Sequence, residues 1–312
     1  MANKFSNLAS RVAVALVAIP FIVFASYSGG MFFALFVLTA ASVALTEFYS
    51  MAKAKGAKPQ TITGILGLLA VQLSFFPRIL PPEVSGAMVR WHAAEFSAIL
   101  FLFMTIVMLV ELFRNNGSAI LNAGATIFGV MYIGLFLASL TGIRELFGGE
   151  FPIHLVQRSF PDALLPNIDI AGAVYTWGGW TIISILTSIW MCDTLAYFGG
   201  LSMGRHKLFP RVSPNKSWEG AVWGFIGAVG TMVFVQQYHL PYLQLHQAVV
   251  MGVLIGVFGQ IGDLIESLLK RDAGVKDSSS MIPGHGGFFD RFDSLIFVSP
   301  LLYLYLSQVV FS

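Results

Sequence analysis

The amino-acid sequence predicts an all-α integral membrane protein with about nine transmembrane helices. Hydrophobic residues make up 56% of its 312 residues and charged residues only 11%, and the mean hydropathy is +0.76. Soluble domains contain about 25% charged residues, so this chain has too few polar side chains to cover a surface that faces water. Apolar stretches recur along the whole chain without a long charged or proline-rich linker, which favours one membrane domain.

Each predicted helix is a mostly apolar stretch that is long enough to cross a bilayer core about 30 Å thick, which takes roughly 20 residues. The nine stretches lie near residues 12–28, 31–50, 61–76, 96–112, 118–140, 178–198, 218–238, 247–268 and 294–311. We therefore divide the chain into N-terminal scaffold helices over residues 1–140, an extracytoplasmic loop over 141–177, and a C-terminal region over 178–312. The polar residues concentrate in the C-terminal region, in predicted cytoplasmic loops at 199–217 and 269–293.

The charges in the loops predict an orientation, because lysine and arginine are retained on the cytoplasmic side of short loops. With the N-terminus inside, 14 of the 18 basic residues fall on the cytoplasmic side. Those on the outer side are Arg78, Arg90, Arg144 and Arg158. An error in the number of helices would distribute the basic residues over both sides of the membrane. Because most of them fall on one side, we expect a cytoplasmic N-terminus and a C-terminus outside.

The composition also excludes several classes of function. A net charge of +2, without a basic run of five residues, gives no reason to expect a nucleic-acid partner. The single cysteine, Cys192, excludes intrachain disulfides and cysteine-based metal clusters. No His-x-x-x-His pattern is present, so zinc is not expected.

The first polar segment, Asp193–Gly220, is rich in glycine and in basic residues. Glycines at 199, 200 and 204 allow backbone N–H groups to approach an anion closely. Phosphate is the natural ligand for the basic residues that accompany them, which are Arg205, Lys207, Arg211 and Lys216. Two simpler interpretations stay open: Ser217 marks a helix start, and the positive charges follow from the cytoplasmic location of the loop.

The second polar segment begins inside an apolar helix. Asp263 and Glu266 lie there, and an ionisable residue in such a helix is costly enough to be a functional hypothesis by default. Helical spacing places Asp263, Ser267 and Lys270 on one face. The alternative is that Asp263 pairs with a neighbouring helix for packing alone.

The loop that follows carries mixed charges around glycines and a histidine. Asp290 and Asp293 are three residues apart at a predicted helix start, and with Asp263 they supply three hard oxygen ligands suited to Mg²⁺. Four basic residues complement phosphate oxygens: Lys270, Arg271, Lys276 and Arg291. His285 stands among Gly284, Gly286 and Gly287, which lets its ring and the backbone approach a ligand together.

The run from Ser267 to Asp293 resembles the C-terminal signature of the phosphatidate cytidylyltransferases, the CDP-diacylglycerol synthases. The matching positions are Ser267, Leu269-Lys270-Arg271, Lys276-Asp277, Pro283-Gly284-His285-Gly286-Gly287-Phe288, Asp290-Arg291 and Asp293. Two upstream elements are also similar to the family: Asp193-Thr194-x-Ala196-Tyr197 and Ser213-Pro214-x-Lys216-Ser217-x-Glu219-Gly220. The resemblance is strong over about residues 190–312 and mainly hydropathic before that.

The resemblance implies transfer of the cytidylyl group of CTP to phosphatidate, giving CDP-diacylglycerol and pyrophosphate. It implies Mg²⁺ held by Asp263, Asp290 and Asp293, a second, monovalent ion such as K⁺, and a homodimer. Because the loop charges place these residues on the cytoplasmic side, we expect the active site to face the cytoplasm, in the inner (cytoplasmic) membrane. We expect catalytic roles for Asp290, Asp293, Lys270 and His285. We expect phosphate or CTP binding by Arg271, Lys276, Arg291, Lys216, Ser217, Ser267 and Arg205.

Two other functions compete with this one. A secondary transporter would use intramembrane Asp263 and Glu266 to bind a coupling ion or proton, but it has no need for the charged loop. A CTP-dependent lipid kinase shares the metal chemistry and differs in the bond that is formed. Only the full signature separates the kinase from the cytidylyltransferase.

Overall fold

The structure, a computed structural model, describes residues 2–75, 93–148, 151–160, 169–282 and 286–312. The described chain is almost entirely helical, so the predicted all-α class is confirmed. Its helices are α1 Ala2–Ser28, α2 Gly30–Ala54, α3 Thr61–Phe75, α4 Ala93–Arg114, α5 Ala119–Gly129, α6 Phe136–Glu145, α7 Ile153–Ser159, α8 Ile170–Met203, α9 Trp218–His239, α10 Leu245–Asp272 and α11 Phe289–Tyr305. A π-helical turn, Val130–Leu135, joins α5 to α6, and a second one, Leu306–Val310, extends α11.

The described helices largely cover the predicted apolar stretches, and α7 lies within the predicted outer loop. Within the described ranges, seven helices are long and apolar enough to cross a membrane. The apolar stretches Val12–Ser28 and Thr61–Phe75 are also helical but shorter. A polytopic membrane protein is therefore confirmed, while nine as the number of crossings stays a prediction.

Helix α8 begins earlier than the sequence predicts. The predicted outer loop ran to residue 177, but α8 starts at Ile170, where the Asp169 side chain accepts a hydrogen bond from the Gly172 N–H at 2.9 Å and caps the helix. With 34 residues, α8 is about 51 Å long at 1.5 Å per residue. It is therefore longer than the hydrocarbon core of a bilayer.

Contacts divide the chain into two compact units that do not follow the sequence in simple halves. The first unit contains Met1–Ile19, Met31–Thr141 and Leu269–Phe292. The second unit contains Pro20–Gly30, Gly142–Leu268 and Asp293–Ser312. The charged loop after α10 thus belongs to the unit that is built mainly from N-terminal helices.

In the second unit, glycines on α9 allow it to pack closely against α8. A Cβ atom at Gly224 would lie 2.8 Å from the carbonyl oxygen of Cys192, and one at Gly227 would lie 3.0 Å from that of Met191. Lipid tails are as apolar as leucine, so membrane helices associate through such close backbone packing. Between the two helices the chain forms an antiparallel hairpin of β1 Lys207–Phe209 and β2 Ser213–Ser217, with Lys207 opposite Ser217.

Arg144, predicted on the outer side, is buried in the second unit. Its guanidinium donates from Nε to the Ser26 carbonyl at 3.2 Å and from Nη2 to the Tyr27 carbonyl at 3.3 Å, and it lies 4.0 Å from the centre of the Tyr175 ring. The carbonyls at the end of a helix have no partner within the helix, so Arg144 caps α1. At Gly29, which has φ of +60°, this guanidinium occupies the space that a side chain would need.

In the first unit, buried Glu111 joins α4 to α5 and to the connection before α3. Its carboxylate accepts hydrogen bonds from Gln60 Nε2 at 2.9 Å and Asn122 Nδ2 at 2.7 Å. Asn122 Oδ1 in turn accepts the Lys58 N–H at 2.6 Å. These hydrogen bonds connect Gln60, Glu111 and Asn122 in one buried polar network.

The predicted orientation is testable with single cysteines, because the natural Cys192 is buried. His246 and Ser312 are exposed and are expected outside, whereas the exposed Lys53 is expected inside. In intact cells, a membrane-impermeant maleimide should label His246→Cys and Ser312→Cys, and it should label Lys53→Cys only after the membrane is broken. Labelling in the reverse pattern would contradict the orientation, and the unmodified chain gives the background.

Candidate active site

The second unit brings three carboxylates together. Asp263 and Glu266 lie on α10 and Asp293 lies on α11, and one oxygen from each falls within 4.8 Å of the others. Gly262 makes this approach possible, since a Cβ atom there would lie 2.8 Å from the Asp293 carbonyl oxygen and 2.8 Å from Phe297 Cβ. The residue next to that glycine, Asp263, is thereby held beside Asp293.

A lysine and a serine contact this carboxylate cluster. Lys216 Nζ lies 2.5 Å from Asp263 Oδ2, with side chains that are 28% and 31% exposed. Ser267 Oγ donates to Asp263 Oδ1 at 3.4 Å, as the shared helix face predicts. Glu266 is buried at 1% exposure. The contact of the Lys216 ammonium group with one of three neighbouring carboxylates indicates that this position attracts cations.

The cluster has the chemistry that Mg²⁺ requires. Carboxylate oxygens are the protein ligands that Mg²⁺ prefers, together with waters and substrate phosphates. The partial exposure of Asp263 leaves one side open to water or a substrate. Asp263, Glu266 and Asp293 therefore fit a divalent cation. The described residues include no His or Cys in this group, which agrees with a hard cation.

A second charged centre lies in the first unit, around Asp290. Lys270 Nζ is 3.0 Å from Asp290 Oδ1, and both side chains are nearly buried, at 12% and 4% exposure. Asp290 also accepts backbone N–H groups from Ser278 at 3.1 Å and from Gly287 at 2.9 Å. These bonds hold the loop after α10 against the first turn of α11.

Glu47 holds the same loop from another direction. It lies on α2, is 4% exposed, and each of its carboxylate oxygens accepts one hydroxyl and one backbone N–H. Oε2 accepts from Ser278 Oγ and the Phe289 amide, both at 2.8 Å. Oε1 accepts from Ser279 Oγ at 2.6 Å and the Phe288 amide at 3.1 Å.

The basic residues that we expect to bind phosphate are mostly exposed. Arg271, Lys276 and Arg291 are exposed in the first unit, and Arg271 Nη1 donates to the Val275 carbonyl at 3.2 Å. In the second unit, Arg205 is exposed and its backbone N–H donates to Glu219 Oε2 at 3.1 Å. Exposed cations at the ends of helices suit a phosphate that arrives from water.

Ser217 has the role that the simpler interpretation gave it. It is the N-cap of α9, and its hydroxyl accepts the Gly220 N–H at 3.2 Å. Glu219 in the first turn accepts the backbone N–H groups of Arg205 and His206. These bonds shape the chain between α8 and α9, and a role of Ser217 in substrate binding stays a prediction.

The structure distributes the candidate residues over the two units. Lys270, Arg271, Lys276, Asp290 and Arg291 belong to the first, and Arg205, Lys216, Ser217, Asp263, Ser267 and Asp293 belong to the second. His285 lies outside the described residues.

Two acidic residues gain importance from the structure. The sequence predictions leave Glu266 out of the Mg²⁺ ligand set and assign no role to Glu47. Both residues carry the same signal as Asp263, an acidic residue inside an apolar helix, on α10 for Glu266 and on α2 for Glu47.

Comparison with known proteins identifies the family of this chain. The model of the Cytidylyltransferase family matches residues 9–309. The phosphatidate cytidylyltransferase of Bacillus subtilis is 30% identical, over 96% of this chain and 98% of that protein. The enzyme of that name from Synechocystis is 31% identical over 89% of each chain, and the one from Staphylococcus saprophyticus is 29% identical over 96% and 99%. The chain therefore belongs to the cytidylyltransferase family and is a membrane-embedded nucleotidyltransferase.

Proposed function

We propose that this chain transfers the cytidylyl group of CTP to phosphatidate in phospholipid biosynthesis. The products are CDP-diacylglycerol and pyrophosphate. The observation that carries the proposal is the cluster of Asp263, Glu266 and Asp293 with Lys216 in apolar helices, in a chain that matches the family over residues 9–309. Relatives that bear the name phosphatidate cytidylyltransferase support the lipid acceptor.

The reaction joins two phosphates, so its main obstacle is negative charge. An ionised oxygen of phosphatidate attacks the α-phosphorus of CTP, a new P–O bond forms, and the bond from the α-phosphorus to the bridging oxygen breaks. Pyrophosphate leaves with that electron pair. The nucleophile is already an anion and needs no strong base, so positioning and charge neutralisation carry the catalysis.

Different residues of this chain would bind the metal ion and neutralise the phosphate charge. Asp263, Glu266 and Asp293 would hold Mg²⁺, which when bound neutralises phosphate oxygens and supplies Lewis-acid assistance. The resemblance places Asp290 in the same ligand set, and this role stays a prediction. A phosphate contact by His285, a second, monovalent ion and a homodimer also stay predictions. Lys216 and Arg205 supply positive charge in one unit, and Lys270, Arg271, Lys276 and Arg291 supply it in the other.

The position of the carboxylates suits a lipid acceptor. Asp293 lies four residues after the start of α11, about 6 Å along the helix axis. A diacyl tail stays in hydrocarbon while its phosphate reaches the helix ends, where CTP arrives from water. We propose that these ends face the cytoplasm, in the inner membrane, as the loop charges predict.

The first test is the reaction itself. Purified protein is incubated with CTP labelled in the cytidine ring, phosphatidate and Mg²⁺, and the lipid is extracted into organic solvent. Label should enter the lipid, and pyrophosphate should appear in equal amount. A lipid kinase or a transporter leaves the cytidine in the aqueous phase, so an unlabelled lipid phase would contradict the proposal.

The second test concerns the carboxylate cluster. Asp263→Asn and Asp293→Asn should each lower kcat by about 100-fold or more, because each removes a charged ligand of the ion that offsets phosphate charge. Chelation of the metal should abolish turnover of the natural protein, and added Mg²⁺ should restore it.

The matched control for these variants is Asp272→Asn. Asp272 lies on the same helix α10, but its exposed carboxylate pairs with Lys55 at 3.3 Å. This control should keep natural activity, because exposed ion pairs contribute little. Natural activity in Asp293→Asn would remove that residue from the site.

The third test concerns the buried pair of Lys270 and Asp290. Lys270→Met leaves the Asp290 carboxylate without its ammonium partner, and breaking such a pair costs roughly 3–5 kcal/mol. The unfolding midpoint in detergent should fall, and so should kcat/KM. Lys55→Met removes the exposed pair with Asp272 and should change neither quantity. An unchanged midpoint in Lys270→Met would show that the pair does not support the loop.

A further inference from the structure

We infer that Glu47, on the second helix, is a positioning residue for the loop between α10 and α11. The inference rests on the proposed function, because that loop carries Lys276 and leads into Asp290. Glu47 and the loop residues that it contacts all belong to the first unit. Its carboxylate acts through the loop backbone and does not itself touch a substrate.

The hydrogen bonds to Glu47 tie together two points of the loop. Ser278 and Ser279 precede Gly286 in the chain, and Phe288 and Phe289 follow it. One carboxylate accepts a hydroxyl and a backbone N–H at each of its oxygens. These two described parts of the loop are thereby held at fixed positions relative to α2.

Each oxygen of the Glu47 carboxylate accepts a backbone N–H group, so both positions require a hydrogen-bond acceptor. A serine hydroxyl can turn and accept instead, but the N–H groups of Phe288 and Phe289 can only donate. A glutamine at position 47 would place its NH₂ group against one of these N–H groups and leave it without its acceptor. An unsatisfied buried N–H group is costly enough to displace the backbone.

Gly287 is an independent sign that this contact is built for close approach. A Cβ atom there would collide first with Ser278 Oγ, which donates to Glu47, and would lie 2.5 Å from Glu47 Oε2 and 2.7 Å from Oε1. Any side chain would therefore disturb the contact between the carboxylate and the loop. The backbone N–H of Gly287 donates to Asp290 Oδ2 at 2.9 Å, so the glycine packed against Glu47 is also bonded to the candidate catalytic aspartate.

A purely structural role makes a different prediction from a positioning role. Glu111 provides the comparison, since it is also a buried glutamate of the first unit, and its hydrogen-bond donors among the described residues, Gln60, Arg114 and Asn122, lie outside the loop. If Glu47 only stabilises the unit, Glu47→Gln and Glu111→Gln should both lower the unfolding midpoint. Neither should then change the mobility of the loop or kcat. If Glu47 positions the loop, only Glu47→Gln should change the loop and kcat.

The test combines a spectroscopic probe with kinetics. A nitroxide label is attached at exposed Ser280→Cys, while the natural Cys192 is buried, in the natural background and in the Glu47→Gln and Glu111→Gln backgrounds. Glu47→Gln should increase label mobility in the absence of substrate and lower kcat by about 10- to 100-fold, as misplacement near 1 Å does. Glu111→Gln should leave both near natural values.

Two further variants keep the inference testable if Glu47→Gln does not fold. Ser279→Ala removes one hydroxyl donor and should give a smaller change in the same direction. Gly287→Ala should reproduce the increased mobility and the loss of turnover. Natural label mobility together with natural kcat in folded Glu47→Gln, or in Ser279→Ala and Gly287→Ala, would overturn the inference.

Failure of the proposed function gives a different result. In that case no background transfers cytidine to lipid, including the natural one. The comparison of label mobility between Glu47→Gln and Glu111→Gln still decides whether Glu47 holds the loop.

Discussion

A carboxylate buried among apolar helices needs hydrogen-bond donors or a cation, and this requirement organises much of the chain. Glu111 is met by two amide side chains, Glu47 by two hydroxyls and two backbone N–H groups, and Asp290 by an ammonium group and backbone N–H groups. Because burial of an unpaired charge costs several kcal/mol, each partner is fixed in place by the acid that it satisfies. The acids thus specify the conformation of segments that apolar packing alone leaves undetermined.

The cluster of Asp263, Glu266 and Asp293 differs from these three acids in its charge balance. It brings three carboxylates within 4.8 Å of one another, and Lys216 contacts one of them, whereas Glu47 and Asp290 are surrounded by donors. Like charges that share a site repel one another, so this arrangement is most stable when a cation is present. The proposed metal chemistry and the packing of α10 against α11 therefore have the same origin, the close approach at Gly262.

The sequence predicted the helices well because hydropathy and loop charge report directly on the membrane. It also predicted the contact of Ser267 with Asp263, since helical spacing fixes which residues share a face. It did not predict that Leu269–Phe292 belongs with the N-terminal helices, because contacts between distant parts of a chain leave no periodic pattern. Glu47 was missed for that reason, since it is 231 residues from Ser278, although an acid in an apolar helix is a visible signal.

The central claim is that Asp263, Glu266 and Asp293 form a divalent-cation site. Electron paramagnetic resonance of Mn²⁺ titrated into the detergent-solubilised protein, without CTP or lipid, tests it most directly. The account predicts that the natural protein and Asp272→Asn bind Mn²⁺, and that Asp263→Asn and Asp293→Asn each lose at least tenfold in affinity. Equal Mn²⁺ affinity in the natural protein and in both site variants would contradict it.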